Sequence, residues 1–394
     1  MNENGNLTDT TTAFSKGKVM LALSISCIVT FFVLYSSFTA IQFQKVAVGT
    51  GHYNWTDTNS NGKIDWNDPS DFSPAKQGNF TAQNAQTILK NISWTSKTFF
   101  WLFMALLAMV VRDLAYMWRI RILTKRELCF KSALNVILLW EYASALAPGV
   151  VSGASVAMFL LHKEKINFGK STAIVLLTAL FDNLFYVLFI PLLLVFTTTA
   201  TLFPASIAES ATASSLFWTG YGVFSIFCLF LFLSIFAYPN LLKNILTTFT
   251  KLPFLKRFQS KAAAIGTDIR LTALMMKSEP LSFWLKTFFA TILSWSARFL
   301  VINFVVQAFI SLSVLQHVSL FIKQFVLWMF LRISPTPGGS GVAEWAFGEL
   351  LADFSTQVVL LGSMAILWRM ISYYPYLIIG SIVLPRWLKR TSNK

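Results

Sequence analysis

The chemistry in this chain is concentrated in LRISPTPGGSGVAEW, Leu331 to Trp345, where prolines and glycines interrupt an otherwise oily run and opposite charges flank the break. Pro337, Gly338, Gly339 and Gly341 free the backbone there. Glycine lets a main-chain amide approach a ligand closely, and a helix starting after such a loop offers its N-terminus to an anion. Arg332, just before the break, adds bidentate recognition of phosphate, and Glu344 follows it. A shorter break at Pro148 and Gly149 lies close after Glu141. Three more charges, Asp182, Arg298 and Arg369, fall about 16 Å into apolar runs, near the centre of a hydrocarbon core about 30 Å thick. A charge at that depth costs at least about 2.5 to 3.5 kcal/mol, so it is paired or sits in a polar cavity. Two readings fit these residues. One is a polar cleft for an anionic headgroup, with Glu344, Glu141 or Asp182 available to exchange protons. The other is a set of internal ion pairs that tie helices together.

A second constellation is DTNSNGKIDWND, Asp57 to Asp68, which has the spacing of a 12-residue calcium loop. Asp57, Asn59 and Asn61 would supply side-chain oxygens, Gly62 the turn, Lys63 a backbone carbonyl, and Asp65 and Asp68 the remaining carboxylates. Asp68 is shorter than the usual glutamate at position twelve. The competing reading is an ordinary polar turn built from Asn, Asp and Gly. Calcium is the one cofactor the sequence suggests, in a structural role and at the weak affinity of extracellular modules.

The elements that must carry these residues follow from composition. Of 394 residues, 55% are hydrophobic and only 12% charged, about half the charged share of a soluble globular protein. The pattern is that of an all-α integral membrane protein. The net charge of +15 is spread over loops between apolar runs, as the positive-inside rule requires, and argues against nucleic acid as a partner. The three cysteines and three histidines are scattered, with no disulfide framework and no zinc spacing.

Threading by basic residues predicts six full spans. Residues 1–41 hold a cytoplasmic N-terminus and a retained first span, Val19 to Ala40, and residues 42–93 form an acidic extracytoplasmic insert. Trp94 to Val111 then returns to Arg112, Arg119, Arg121 and the lysines that follow, read as cytoplasmic. Residues 132–161 are two pieces too short to span, hinged at Pro148 and Gly149, with cytoplasmic charge at both ends. They predict a re-entrant hairpin. Ser171 to Val195, Leu216 to Ala237, Thr287 to Leu312 and Ser355 to Leu384 complete the spans, with a basic cytoplasmic loop at 240–280. Part of that loop reads either as an amphipathic helix on anionic headgroups or as a solvated one. The segment from Leu320 to Phe354 is left with both ends outside and predicts a second hairpin, opposed to the first.

STAIVLL from Ser171 and STQVVLL from Ser355 share five of seven residues, each after a Pro-Gly break. They predict a repeat of residues 94–195 and 287–384. Because the copies start from opposite sides it is inverted, an architecture of secondary transporters with broken helices near the midplane.

PTPGGSGVAE resembles the signature of the lysylphosphatidylglycerol synthase transmembrane, or flippase-like, family through Pro335, Thr336, Pro337, Gly338, Gly339, Gly341 and Glu344. The resemblance covers residues 94–394 and implies a membrane domain that handles lipid. About ten residues follow the last span, which leaves no room for the soluble aminoacyl-transferase domain of the bifunctional synthases. The insert at 42–93 is not a feature of the family. The expected function is translocation or handling of an anionic amphiphilic lipid in the plasma (inner) membrane, with both termini cytoplasmic. No catalytic constellation is recognisable, so the chain is not read as an enzyme. The alternatives are a non-transporting scaffold for an envelope enzyme and, further off, an intramembrane headgroup transferase. Partners would be membrane lipids, a second copy of the chain or that envelope enzyme.

Overall fold

The computed structural model describes residues 35, 42–58, 64, 68–83, 90, 94–146, 150–204, 208, 210–251, 256, 259–334, 336–355 and 357–392. The expected first span, Val19 to Ala40, lies outside these apart from Tyr35.

The polar insert is not helical. Four strands, β1 (Gln42–Lys45), β2 (Gly51–Trp55), β3 (Phe72–Gly78) and β4 (Phe80–Gln83), form one antiparallel sheet in the order β1-β4-β2-β3. The chain is therefore mostly helical rather than all-α. Phe43, Phe72 and Phe80 form the small core of this sheet, with Tyr53, Trp55 and Ile64 packed on it. Three aromatic rings, one from each of β1, β3 and β4, suffice to give the sheet an apolar face.

Among the described residues, twelve helices of nine or more residues follow: α1 (Ser96–Leu123), α2 (Phe130–Leu146), α3 (Val150–Lys163), α4 (Phe168–Phe196), α5 (Ala211–Phe232), α6 (Leu241–Phe249), α7 (Gln259–Lys277), α8 (Leu281–Phe309), α9 (Val314–Ile333), α10 (Val342–Leu351), α11 (Val358–Ser372) and α12 (Tyr374–Ser392). Six stretches among the described residues are long and apolar enough to cross a membrane: Ser96–Leu123, Phe168–Phe196, Ala211–Ala237, Leu281–Phe309, Val314–Arg332 and Val359–Thr391. Five of the six overlap expected spans, and Val314–Arg332 does not. Val314–Arg332 belongs to a segment read from sequence as two short pieces, yet α9 is 20 residues long, about 30 Å. The last stretch is broken at Tyr373 into α11 and α12, because Pro375 has no N–H to continue the helical ladder.

Helix starts are set by side-chain caps. Thr95 and Thr98 form a capping box at α1, Asn167 Oδ1 accepts from the Gly169 N–H (2.8 Å) at α4, and Ser313 pairs with Gln316 at α9. The most extensive helix pairing is α1 on α8. Ala105 and Ala108 of α1 and Val301 and Val305 of α8 are buried in one cluster, small residues letting the backbones approach. Within 96–196, successive helices α1 to α4 each pack on the next; α8 to α11 do the same, and each set reaches across, α1 to α11 and α8 to α4. Outside this pattern, α7 buries Ile269, Thr272, Ala273 and Met276 and packs on α4, while Leu271, Leu274 and Met275 remain exposed.

Candidate functional site

The turn between α9 and α10 is built on backbone that only glycine adopts easily. Gly338, Gly339 and Gly341 have φ of 57°, 68° and 85°. A Cβ on Gly338 would lie 2.1 Å from Cε2 of Tyr373. The turn is closed by its own hydroxyls: Thr336 Oγ1 donates to the Ser340 carbonyl (2.8 Å) and Ser340 Oγ to the Pro337 carbonyl (3.0 Å). Glu344, buried on the first turn of α10, accepts from the Gly341 N–H at 2.6 Å. From α11, Arg369 donates to the Gly338 carbonyl (2.9 Å) and Ser340 Oγ (3.0 Å), and its guanidinium stacks 3.7 Å from the Tyr373 ring centroid. Its Nε lies 3.1 Å from Glu344 Oε1, an ionic contact at an angle too poor for a hydrogen bond.

The end of α2 approaches the Pro337–Gly339 turn. Tyr373 O–H donates to the Ala145 carbonyl (3.1 Å), at the end of α2, and α2 packs against the Pro337–Gly339 turn. A tyrosine held at the break between α11 and α12 thus joins the end of α2 to the turn.

Beside them is a cavity of about 310 Å³ lined by five arginines, Arg112, Arg119, Arg298, Arg332 and Arg369. Four are held by carboxylates. Arg112, on α1, pairs with Asp113 and Glu141 and donates to Tyr376 Oη. Arg119 pairs with Asp182 (2.5 Å) and donates to Thr291 Oγ1 (3.1 Å); Asp182 also accepts from Trp295 Nε1 (2.9 Å). Arg298 makes only long contacts, 3.4 Å to each Glu141 oxygen, and its buried Nε has no hydrogen-bond partner. Arg369 is tied to Glu344, as above. Arg332 has no carboxylate partner among the described residues. It donates to Asn183 Oδ1 (2.7 Å) and lies 4.3 Å from the Tyr186 ring centroid. Asn183 Nδ2 donates to the Ala179 carbonyl (2.7 Å), which fixes the amide oxygen toward Arg332. Aromatic faces complete the wall, where Trp295 lies 5.0 Å from Arg298 and 5.3 Å from Arg332.

The family model of the lysylphosphatidylglycerol synthase TM region matches residues 82–380, from the end of β4 into α12. The chain belongs to this family. The matched region begins where the sheet ends, so β1 to β3 lie outside it. A UPF0104 membrane protein of Archaeoglobus fulgidus is 23% identical over 311 residues, covering 76% of this chain and 87% of that protein. No solved structure matches the chain. Family membership and six apolar helices make this a multi-pass membrane protein.

Within the family domain the structure collects the residues named from sequence unevenly. Glu141, Asp182, Arg298, Arg332, Gly338, Gly339 and Arg369 line the cavity together. Pro337 is buried in the turn, while Gly341 and Glu344 stand behind it, where Glu344 braces Arg369 and the start of α10. Pro148 and Gly149 lie outside the described residues. Arg112 and Arg119 correct the sequence reading. From the sequence they read as cytoplasmic loop charge, but α1 continues to Leu123 and the two are 1% and 3% exposed. With Tyr116 they occupy the i, i+4 and i+7 positions of one helix face, a spacing that marks them as facing inward. Tyr373 and Tyr376 carried no signal, since tyrosine in an apolar run reads as core or interface.

Of the calcium-loop residues, Asn59, Asn61, Lys63 and Asp65 lie outside the described residues. The mouth of the loop is closed by the Thr56 N–H donating to the Asp71 carbonyl (2.7 Å) and the Thr58 N–H to Asp71 Oδ1 (3.1 Å). Asp68 is exposed and accepts from Ser70 Oγ (2.7 Å) and the Ser70 N–H (2.9 Å), bonds that hold its carboxyl below the usual range.

Proposed function

We propose that this protein carries a lipid with an anionic headgroup across the plasma membrane, the headgroup passing through the arginine-lined cavity while its chains stay in the bilayer. The observation that carries the reading is the cluster of five arginines around a cavity of about 310 Å³, lined also by Ala145 at the end of α2 and by the Gly338–Gly339 turn. Moving a phosphate through hydrocarbon unaided is prevented by the cost of stripping its water. Guanidinium groups replace that water, and the aromatic faces supply cation-compatible walls with no competing anion.

On this reading α2–α3 and α9–α10 are the opposed re-entrant hairpins. The matching neighbour pattern of α1–α4 and α8–α11 is the inverted repeat, giving access from each side in turn. Both termini are cytoplasmic and the sheet is extracytoplasmic. A second reading is favoured by one observation: four of the five arginines already have carboxylates, as a rigid scaffold supporting an envelope enzyme would require.

Reconstitution decides between them. Purified protein in liposomes should accelerate the transbilayer movement of at least one lipid from phosphatidylglycerol, its aminoacylated derivative, cardiolipin and polyprenyl phosphate. If none moves, with a proton gradient of either sign, the transport reading fails. A stoichiometric partner then co-purifying with the protein would support the scaffold. Chemical turnover of the lipid by the purified protein would replace both with a transferase.

A further inference from the structure

The charges around the cavity do not cancel. Five arginines face four carboxylates, Asp113, Glu141, Asp182 and Glu344, which leaves one positive charge over among the described residues. The surplus is localised. Arg112, Arg119 and Arg369 each have at least one close carboxylate, whereas Arg332 has only the neutral Asn183 oxygen. Its neighbour across the Trp295 indole, Arg298, is the most loosely held of the paired arginines, at 3.4 Å from Glu141 with Nε unpartnered. An uncompensated guanidinium deep in a membrane protein is costly, so the state of lowest energy is the one in which a single negative charge sits beside it.

Resting on the lipid reading above, we infer that the preferred headgroup is a phosphodiester of net charge −1, with its phosphate held at Arg332 and reaching toward Arg298. The other classes of lipid headgroup fit less well. A phosphomonoester carries between one and two negative charges near neutral pH, its second pKa being about 6, and leaves the cavity net negative. A zwitterionic headgroup brings a cation for which every cavity carboxylate is already taken. Lysylphosphatidylglycerol, with two ammonium groups against one phosphate, brings net positive charge into a site with a cation to spare. Asn183 is a positioning residue in this scheme: its amide offers Arg332 a hydrogen bond without neutralising it.

Two substitutions remove the surplus by opposite chemistry. Arg332→Gln deletes the cation, and Asn183→Asp keeps it but sets a carboxylate where the amide oxygen stands, at the cost of the hydrogen bond to the Ala179 carbonyl. The experiment is lipid retention by protein in phosphatidylcholine nanodiscs at pH 8, read by native mass spectrometry with phosphatidylglycerol, phosphatidate and lysylphosphatidylglycerol as competitors. Wild type should retain phosphatidylglycerol on the order of tenfold over each alternative, about the effect of one charge contact. Both variants should lose that preference and hold phosphatidylcholine equally well, while Arg332→Lys keeps it. Soluble glycerophosphoglycerol should compete poorly, because the chains contribute to binding. Efficient competition by it would make the ligand a free phosphodiester and overturn the lipid source. If wild type retains phosphatidylglycerol but Asn183→Asp does too, or if phosphatidate is preferred, the charge argument is wrong while lipid handling stands. If wild type retains none of these lipids, both fall.

Discussion

Replacing Glu344 by glutamine tests whether that carboxylate is a brace rather than a mobile proton carrier. Glutamine has the same shape and still offers an oxygen to the Gly341 N–H, so the cap on α10 survives. What is lost is the negative charge 3.1 Å from Arg369 Nε, in a pair whose side chains are 6% and 2% exposed. Removing one partner of a pair this deeply buried costs about 3 to 5 kcal/mol, because the remaining charge is stranded away from water. Arg369 also holds Gly338 and Ser340, so the loss should be felt at the turn itself. Reversible unfolding in mixed detergent–SDS micelles measures it, with Arg369→Met and the double variant closing a thermodynamic cycle. Removing both charges should cost less than the two single losses added together, with a coupling of about 2 to 3 kcal/mol. A single-variant loss under about 1 kcal/mol, or a coupling within about 0.5 kcal/mol of zero, would refute the brace.

Gly338→Ala should lose about 2 to 4 kcal/mol in the same assay, from a left-handed φ and a methyl driven into the Tyr373 ring; a neutral effect would mean that the turn is differently built. We expect the Asp57 to Asp68 loop to bind calcium, so the melting temperature should rise with calcium, and the Asp57→Ala, Asp68→Ala double variant should lose that rise. No shift in wild type up to several millimolar makes the loop a turn only. With Cys27, Cys129 and Cys228 removed, Lys165→Cys should react with impermeant thiol reagents from the cytoplasm and Ala352→Cys from outside; labelling of both from one face ends the opposed-hairpin arrangement.

Much of the site could be read from the chain because charge in an oily run is expensive and therefore conspicuous. Asp182, Arg298 and Arg369 stood out by depth alone, and the Pro-Gly breaks by their backbone chemistry. Arg112 and Arg119 did not, since a basic cluster at the end of an apolar run looks the same whether the helix stops or continues. Only α1 running on to Leu123 turns them inward. The sheet at residues 42–83 was hidden because strands of four to seven residues built on three phenylalanines barely alter local hydropathy. The break at Tyr373 has a signal in Pro375, but it was masked by the continuous apolar character of residues 358–384. Which carboxylate would meet which arginine across helices was not readable, for the pairs join α1 to α2 and α4, and α8 to α2, through packing rather than spacing.

The most direct test of the central claim is the rate at which tail-labelled phosphatidylglycerol crosses liposomes containing equal numbers of folded wild-type, Arg332→Lys or Arg332→Gln protein. If the cavity carries the headgroup, wild type moves the lipid, lysine retains part of the rate because it keeps the charge but loses the bidentate fork, and glutamine falls to that of protein-free vesicles. Equal rates for wild type and the glutamine variant would contradict the account, because lipid would then cross without the cavity arginine that has no carboxylate partner among the described residues.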